Sequence, residues 1–386
     1  MAKKISREVG YINEIRNCFF DLKRREVKKA YDVMKDAECI LVYGSGRSFS
    51  ATLIGISQIA RKKRVISPEN PGFPGIDRIV ESHDNTVFLV ASGSGTTPAT
   101  LNAVEETAAY IDKSNTDKLK VIAITSEPES PVGKIASDYG HIIRLEGRTK
   151  VDESLSKADQ YLGKGIMGDQ FELATLSLCQ RITESLYDDA SSKSIFERAE
   201  RQFKVIGKVV DDIVLSRDYE KVLEKIIEPH SVTLGGVNHA NLVASMTAIR
   251  LAHVKRALGD EVFVCRRENT PQPRVGDLVI LISHSGETPS IVTWLNAFDK
   301  VGVKILGVSG LGSSTLSNRS DYRFIFKGKK EVMKGSSIIV RGKPSPFYET
   351  AAYVLSPLPT HLCMRLYERG YELPEYLLKA MHDITS

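Results

Sequence analysis

The feature that most constrains the fold of this chain is a short loop of serine, glycine and threonine that occurs twice. The first copy is Ser92-Gly93-Ser94-Gly95-Thr96-Thr97, and the second is Ser283-His284-Ser285-Gly286-Glu287-Thr288. Each copy follows a strand-like apolar run and precedes a proline that opens a helical pattern. This order favours phosphate binding, because backbone N–H groups, hydroxyls and the helix N-terminus can all face an anion. A flexible Ser/Gly linker is the alternative for either loop taken alone.

The surroundings of the two loops indicate a duplicated domain. A glycine turn after another strand-like run precedes each loop, Gly44-Ser45-Gly46-Arg47-Ser48 in the first half and Gly235-Gly236-Val237-Asn238-His239 in the second. Both turns precede their loops by 48 residues, counted from Gly44 to Ser92 and from Gly235 to Ser283. An ordered pair of patterns at one spacing is typical of an internal repeat.

Strand-like runs alternate with helical patterns in each half, which predicts two doubly wound parallel sheets of the flavodoxin-like α/β class. A polar stretch at residues 188–194 predicts the boundary, giving domains 1–190 and 191–386. Long helices are predicted at 3–36 and 195–228. In such sheets ligands bind beyond the carboxyl ends of the strands, which is where both loops emerge.

Composition narrows the class of protein. The 386 residues carry a net charge of +5, which is mild and gives no reason to expect nucleic acid as a partner. The five cysteines form no CxxC pair or zinc spacing, as expected of reduced thiols in the cytoplasm. No signal peptide is visible, and no apolar run approaches the roughly 20 residues that cross a membrane. We expect a cytoplasmic protein without a metal or other cofactor.

These patterns resemble tandem sugar isomerase (SIS) domains, which bind phosphosugars, over nearly the whole chain. The first half is similar to the 6-phospho-3-hexuloisomerases in three places: Gly44-x-Gly46-Arg47-Ser48, Gly147-Arg148-Thr149-Lys150 and Met167-Gly168-x-x-Phe171-Glu172. The resemblance implies that Glu172 is the base that shuttles a proton. It also implies a metal-free shift of a ketone between carbons 3 and 2 of a hexulose 6-phosphate, which gives fructose 6-phosphate.

The implied chemistry agrees with the residue types. A ketone shift passes through a cis-enediol and needs one base, and a part-buried carboxylate is suited to that work. The phosphate serves as a handle that positions the reacting carbons. The predicted substrate contacts are Gly44, Ser45, Gly46, Arg47, Ser48, Ser92, Gly93, Ser94, Gly95 and Thr97 in the first half, and Gly236, Asn238, Ser283, His284, Ser285, Gly286 and Thr288 in the second.

Several predicted roles have structural alternatives. Glu172 could close a capping box with Asp169 at the start of a helix, and Arg47 could either contact phosphate or form a surface ion pair. In the second half we align Glu349 with Glu172, and we align His239 with Ser48. Both are candidate catalytic groups, although His239 departs from the family pattern, as does Asn238 at the position of Arg47. The second half could hold a second active site or a degenerate one, or it could be a partner that completes the first site.

Two other functions remain open from the sequence. An amino-sugar phosphate isomerase or deaminase is also built on two SIS units, but the Ser-Thr-Lys stretch usual there is not found. A non-catalytic phosphosugar sensor would not need the retained glutamates, and no DNA-binding helix-turn-helix is visible before residue 39. We expect a sugar phosphate as the ligand and a homodimer as the assembly.

Overall fold

The structure, a computed structural model, describes residues 8–148, 154, 156, 159–161, 165–166, 168–265, 272–326 and 343–377. It contains two compact units. The first unit comprises Glu14–Arg148 and Gly168–Gln202, and the second comprises the described residues of Met1–Asn13, Thr149–Met167 and Phe203–Met381. The units interleave along the sequence, so the division into domains 1–190 and 191–386 stays a prediction.

The first unit is built on a five-stranded parallel sheet. The strand order is β2-β1-β3-β4-β5. The central strand β3 is buried along its whole length, as expected of a parallel sheet with helices on both faces. The strands are β1 Cys39–Gly44, β2 Arg64–Ile66, β3 Thr86–Ala91, β4 Leu119–Thr125 and β5 Gly140–Arg144.

The second unit repeats this sheet. Its strand order, read from the other edge, is β7-β6-β8-β9-β10, and all pairs are again parallel. The order 2-1-3-4-5 in both sheets is the flavodoxin-like one, which confirms the predicted fold class. The strands are β6 Val232–Gly236, β7 Val262–Val264, β8 Leu278–Ser283, β9 Lys304–Ser309 and β10 Tyr322–Ile325.

Helices connect the strands. The first eight described helices are α1 Glu8–Phe20, α2 Arg24–Asp36, α3 Gly46–Ile56, α4 Ile76–Glu81, α5 Pro98–Ser114, α6 Pro131–Tyr139, α7 Asp169–Tyr187 and α8 Lys193–Val214. Those that follow are α9 Arg217–Ile227, α10 His239–Ala257, α11 Pro289–Val301, α12 Thr315–Arg319, α13 Phe347–Leu355 and α14 Pro357–Glu368. Short 3-10 turns occur at Ser57–Ile59 and Glu375–Leu377.

Each of the two long helices predicted from periodicity is divided into two helices in the structure. The prediction for 3–36 divides into α1 and α2, because the backbone at Lys23 is extended (φ −68°, ψ 111°). The prediction for 195–228 divides into α8 and α9, because Ser216 caps α9 by accepting a hydrogen bond from the N–H of Tyr219 at 3.2 Å. No described helix has the length and hydropathy needed to span a bilayer.

Candidate active site

In the first unit the glycine turn and the Ser92 loop lie side by side at the carboxyl edge of the sheet. Gly44, the last residue of β1, is paired in register with Ala91, the last residue of β3. A Cβ atom on Gly44 would lie 3.1 Å from the carbonyl oxygen of Ala91, so a side chain would crowd this approach. The hydroxyl of Ser45 lies 3.0 Å from the hydroxyl of Thr100 in α5, which ties the turn to the helix behind the loop.

The Ser92 loop is held in shape by its own hydrogen bonds. The Ser92 hydroxyl accepts a bond from the N–H of Gly95 at 3.1 Å and lies 3.4 Å from the hydroxyl of Thr97. The Ser94 hydroxyl accepts from the N–H of Thr96 at 3.3 Å. Gly95 has a φ of +62°, which favours glycine. Helix α5 begins at Pro98, directly after the loop. The loop hydroxyls and the N–H groups of the first helical turn therefore lie close together, an arrangement that suits an anion.

Beside this loop lies a buried cluster of one guanidinium and two carboxylates. Nε of Arg47, in the first turn of α3, donates to Oε2 of Glu172 at 2.5 Å, and Nη2 of Arg47 donates to Oδ1 of Asp169. The three residues are 4%, 8% and 2% exposed in the order Arg47, Glu172 and Asp169. Arg47 therefore forms a buried ion pair and not the surface one that its sequence context allows. A guanidinium buried to this degree needs such partners, because an unpaired buried charge is costly.

The start of α7 explains how the two carboxylates come together. The helix begins at Asp169, and its N-cap residue is Gly168, which has no side chain that could cap the helix. A capping box would need Asp169 at the N-cap position, so that alternative for Glu172 is wrong. Asp169 and Glu172 are three residues apart and thus share one face of the helix. The helix N-terminus itself also favours carboxylates in the first turn.

A neighbouring residue links Glu172 to the phosphate-binding candidate. The ring of Phe171 lies 3.3 Å from the position that a Cβ atom on Gly93 would take. The N–H of Phe171 donates to the carbonyl of Gly147 at 3.1 Å. Arg148 lies 3.9 Å from the carboxylate of Glu127. The structure thus brings the loop, Arg47 and Glu172 to one edge, with half-buried Ser48 following Arg47 in the chain. Thr149, Lys150 and Met167, which also carried the resemblance, lie outside the described residues.

The second loop has nearly the same internal geometry as the first. The Ser283 hydroxyl accepts from the N–H of Gly286 at 3.1 Å and lies 2.9 Å from the hydroxyl of Thr288. The Ser285 hydroxyl accepts from the N–H of Glu287 at 3.2 Å, and Gly286 has a φ of +66°. The predicted duplication of the loop is therefore present in three dimensions.

The glycine turns correspond differently from the sequence alignment. Gly236 is paired in register with Ile282, which directly precedes Ser283, just as Gly44 is paired with the residue before Ser92. Gly236 is thus the counterpart of Gly44, and the true spacings are 48 and 47 residues. Two residues further on, Gly46 and Asn238 both have a φ of +55°. Hence Asn238 occupies the place of Gly46, and His239 the place of Arg47. The alignment of His239 with Ser48 was wrong by one residue.

The candidate base has a different counterpart too. The ring of Phe347 stacks on His284 with centroids 4.6 Å apart, and His284 occupies the loop position of Gly93. Phe347 is therefore equivalent to Phe171, and the next residue, Tyr348, is equivalent to Glu172. His239 stacks on Tyr348 at 5.1 Å, as Arg47 bonds Glu172 in the first unit. Glu349, which is 1% exposed, falls one residue beyond the position that the sequence alignment gave it.

The second unit therefore surrounds its loop with aromatic groups. Burial lowers the pKa of His284 to about 4, so the imidazole is neutral at pH 7. Its Nε2 has no hydrogen-bond partner among the residues that the structure describes. Burial also raises the pKa of Tyr348. A stacked histidine and tyrosine, His239 and Tyr348, stand here where the first unit has an ion pair.

Sequence reasoning missed two members of these sites, Asp169 and Tyr348. The signal for Asp169 was an acid pair three residues apart at a helix start, together with an arginine in the glycine turn, but that spacing also fits a capping box. Within the described residues, no group of three or more His, Cys, Asp or Glu side chains is placed to hold a metal ion.

Comparisons with known proteins agree with this architecture. A family model described as "SIS domain" matches residues 270–347. The chain is 26% identical over 160 residues to the 3-hexulose-6-phosphate isomerase of Mycobacterium gastri, which covers 41% of this chain and 78% of that protein. It is 25% identical over 209 residues to the glutamine–fructose-6-phosphate aminotransferase (isomerizing) of Chlamydia trachomatis, covering 51% of this chain and 34% of that protein. The solved tagatose-6-phosphate ketose/aldose isomerase of Escherichia coli aligns with a TM-score of 0.60 at 12% identity, over 95% of this chain and 92% of that one. That last likeness shows the fold alone.

Proposed function

We propose that this chain is a phosphosugar isomerase of the SIS type whose active site lies in the first unit. The proposed substrate is a ketohexose 6-phosphate, interconverted with fructose 6-phosphate. Similarity to the 3-hexulose-6-phosphate isomerase supports this choice of substrate, although it covers 41% of the chain. Glu172 is the proposed base, and the Ser92 loop is the proposed phosphate site.

The observation that carries the proposal is that Glu172 pairs with Arg47 while the residue before it contacts the Ser92 loop. Glu172 is 8% exposed, and its carboxylate is oriented by the Nε of Arg47 at 2.5 Å. Phe171, the residue before it, packs against Gly93 of the loop. A carboxylate fixed beside an anion-binding loop is what proton transfer on a phosphate-anchored sugar needs, because geometry contributes much of the rate.

The proposed mechanism uses these groups in sequence. Ser92, Ser94 and Thr97 bind the phosphate with the N–H groups of the loop, and so place the ketone and the neighbouring carbinol carbon at Glu172. The carboxylate takes the proton from the carbinol carbon. The C–H electron pair becomes the C=C bond of the enediol, the C=O π pair moves onto the carbonyl oxygen, and that oxygen takes a proton from water. The other hydroxyl then gives its proton to water and its electron pair forms the new C=O bond, while the C=C pair takes the proton back from Glu172 at the former carbonyl carbon.

The second unit does not supply the same base. Tyr348 and His239 stand where Glu172 and Arg47 stand in the first unit, and His284 is neutral in its loop. The Ser283 loop still has the geometry of an anion site. We therefore assign proton transfer to the first unit.

Proton exchange followed by NMR tests the proposal. The protein is incubated in D2O with fructose 6-phosphate, and in parallel with other ketohexose and amino-sugar phosphates. We expect the wild-type protein to introduce deuterium at carbon 3 of fructose 6-phosphate. Glu172→Gln should lose this exchange, because glutamine keeps the shape of the side chain but cannot take a proton. Binding of inorganic phosphate, measured by 31P line broadening, should be retained in that variant.

Glu184→Gln is the matched control. Glu184 also lies on α7 and also pairs with a buried arginine, Arg181, at 3.0 Å, so it controls for the loss of an ion pair on this helix. Exchange that persists in Glu172→Gln would overturn the assignment of the base. Absence of exchange with every sugar, together with thermal stabilisation by one of them, would replace the isomerase by a binding protein.

A further inference from the structure

We propose that Asp169 is a positioning residue for this reaction: it holds Arg47 in place while Glu172 gives up and regains its negative charge. The inference rests on the proposed function of Glu172. Asp169 does not itself contact the reacting carbons in this scheme. It acts through the guanidinium that the two carboxylates share.

The need for such a residue follows from the charge balance of the cluster. One guanidinium pairs with two carboxylates here. When Glu172 carries the substrate proton it becomes neutral, and Arg47 loses one of the two carboxylate partners that the described residues give it. Arg47 is 4% exposed, so water cannot replace that partner at low cost. Asp169 takes no part in the proton transfer, so its hydrogen bond keeps the guanidinium paired and in the same place for the return of the proton.

The geometry of the pairing allows Asp169 to keep its hydrogen bond to Arg47 whatever the state of Glu172. Asp169 accepts from Nη2, whereas Glu172 accepts from Nε, so the two carboxylates bind different nitrogens of the planar guanidinium and do not compete for one. Asp169 is 2% exposed and is the first residue of α7. Because Asp169 and Glu172 are on the same helix turn, a shift of Arg47 toward one changes its distance from the other.

The second unit offers an internal comparison. The same alignment that equates Phe347 with Phe171 equates Ser345 with Asp169. Ser345 accepts a hydrogen bond from the N–H of Phe347 at 3.2 Å and so serves the start of its own helix. The acid at this position thus occurs in the unit that has Arg47 and Glu172, and is missing from the unit that has His239 and Tyr348. This pattern fits a role that depends on the arginine.

The direct test is Asp169→Asn, assayed by the rate of ketone shift and by exchange in D2O. We expect kcat to fall about 10- to 100-fold, the range for losing a hydrogen bond to a charged group. KM should change less than about twofold, because the Ser92 loop is untouched. Asp169→Glu should recover part of kcat, since it keeps the charge. Glu184→Gln serves again as the control on α7 and should keep wild-type kcat.

A double-mutant cycle separates positioning from a structural effect of Asp169 on the helix start. In an Arg47→Met background, Asp169→Asn should lower the residual exchange rate by less than about twofold, because its partner is gone. A full 10- to 100-fold loss in that background would refute the proposal, since Asp169 would then act without Arg47. Should Asp169→Asn not fold, Asp169→Ser, which is compatible with a first helical turn, takes its place in the cycle.

The outcomes also distinguish this inference from the function it rests on. An active wild-type protein whose Asp169→Asn variant keeps full kcat refutes the role of Asp169 and leaves the isomerase standing. A wild-type protein that exchanges no proton with any sugar phosphate refutes both.

Discussion

Replacing Gly95 with alanine perturbs the Ser92 loop at its most constrained point. Gly95 has a φ of +62°, and a Cβ atom there would lie 2.5 Å from the Cβ of Ser130 and nearer still to its hydroxyl. Ser130 is the N-cap of α6 and accepts a hydrogen bond from the N–H of Gly133 at 3.2 Å. The methyl group must therefore strain the loop backbone and displace a helix cap together.

The expected cost can be assembled from these two effects. An L-residue in the left-handed region costs about 1 kcal/mol, and losing a serine N-cap costs about 1 kcal/mol more. A total of about 2 kcal/mol corresponds to a fall in Tm of about 4–8 °C for a unit of this size.

Two matched variants separate the contributions. Gly286, with a φ of +66°, meets the N-cap Ser314 of α12 in the same way, its Cβ position lying 2.5 Å from the Cβ of Ser314. Gly286→Ala should therefore lose about the same stability as Gly95→Ala. Gly302 has a φ of +78° with open space around it, so Gly302→Ala should lose only the backbone part, about 1 kcal/mol.

The assay combines thermal unfolding with the proton-exchange rate. Gly95→Ala should lower both, whereas Gly286→Ala should lower stability and leave exchange near the wild-type rate, because the proposed base lies in the first unit. Equal Tm values for Gly95→Ala and Gly302→Ala would show that Ser130 can move aside without loss of stability, and would refute the steric reasoning. Equal loss of exchange in both loop variants would refute the assignment of catalysis to the first unit.

The remaining predictions concern the second unit. Glu349→Gln should retain exchange within about twofold of wild type, since Tyr348 and not Glu349 is the counterpart of Glu172; loss of exchange comparable to that in Glu172→Gln would contradict that alignment. His284 should make stability fall as the pH drops from 7 toward 4, because burial lowers its folded pKa from 6.5 to about 4 while the unfolded chain takes up a proton near pH 6.5. The loss should reach about 2 kcal/mol at pH 5. Urea unfolding at pH 7 and pH 5 measures it, and an unchanged difference in His284→Phe would contradict it.

Much of the fold follows from local signals in the sequence. Apolar runs of five or six residues, each followed by glycine or hydroxyl residues and then a helical pattern, specify parallel strands with helices on both faces. The Ser92 and Ser283 loops could be identified because their chemistry is contained in six consecutive residues. The periodicity did not predict the helix breaks at Lys23 and Ser216, because the apolar pattern continues through them and neither position carries glycine or proline.

The sequence by itself determined the duplication, the parallel α/β class and the two hydroxyl-rich loops at the strand ends, because these depend on residues that are neighbours in the chain. Tertiary structure alone decided which groups meet. Arg47 and Glu172 are 125 residues apart, so no local pattern predicts their pairing. The helix start places Gly168 and not Asp169 at the N-cap, which removes the capping box that local spacing allowed equally well. The positive φ shared by Gly46 and Asn238 likewise moved the alignment of the turns by one residue. Backbone conformation and strand register fix such correspondences, and residue spacing does not encode them.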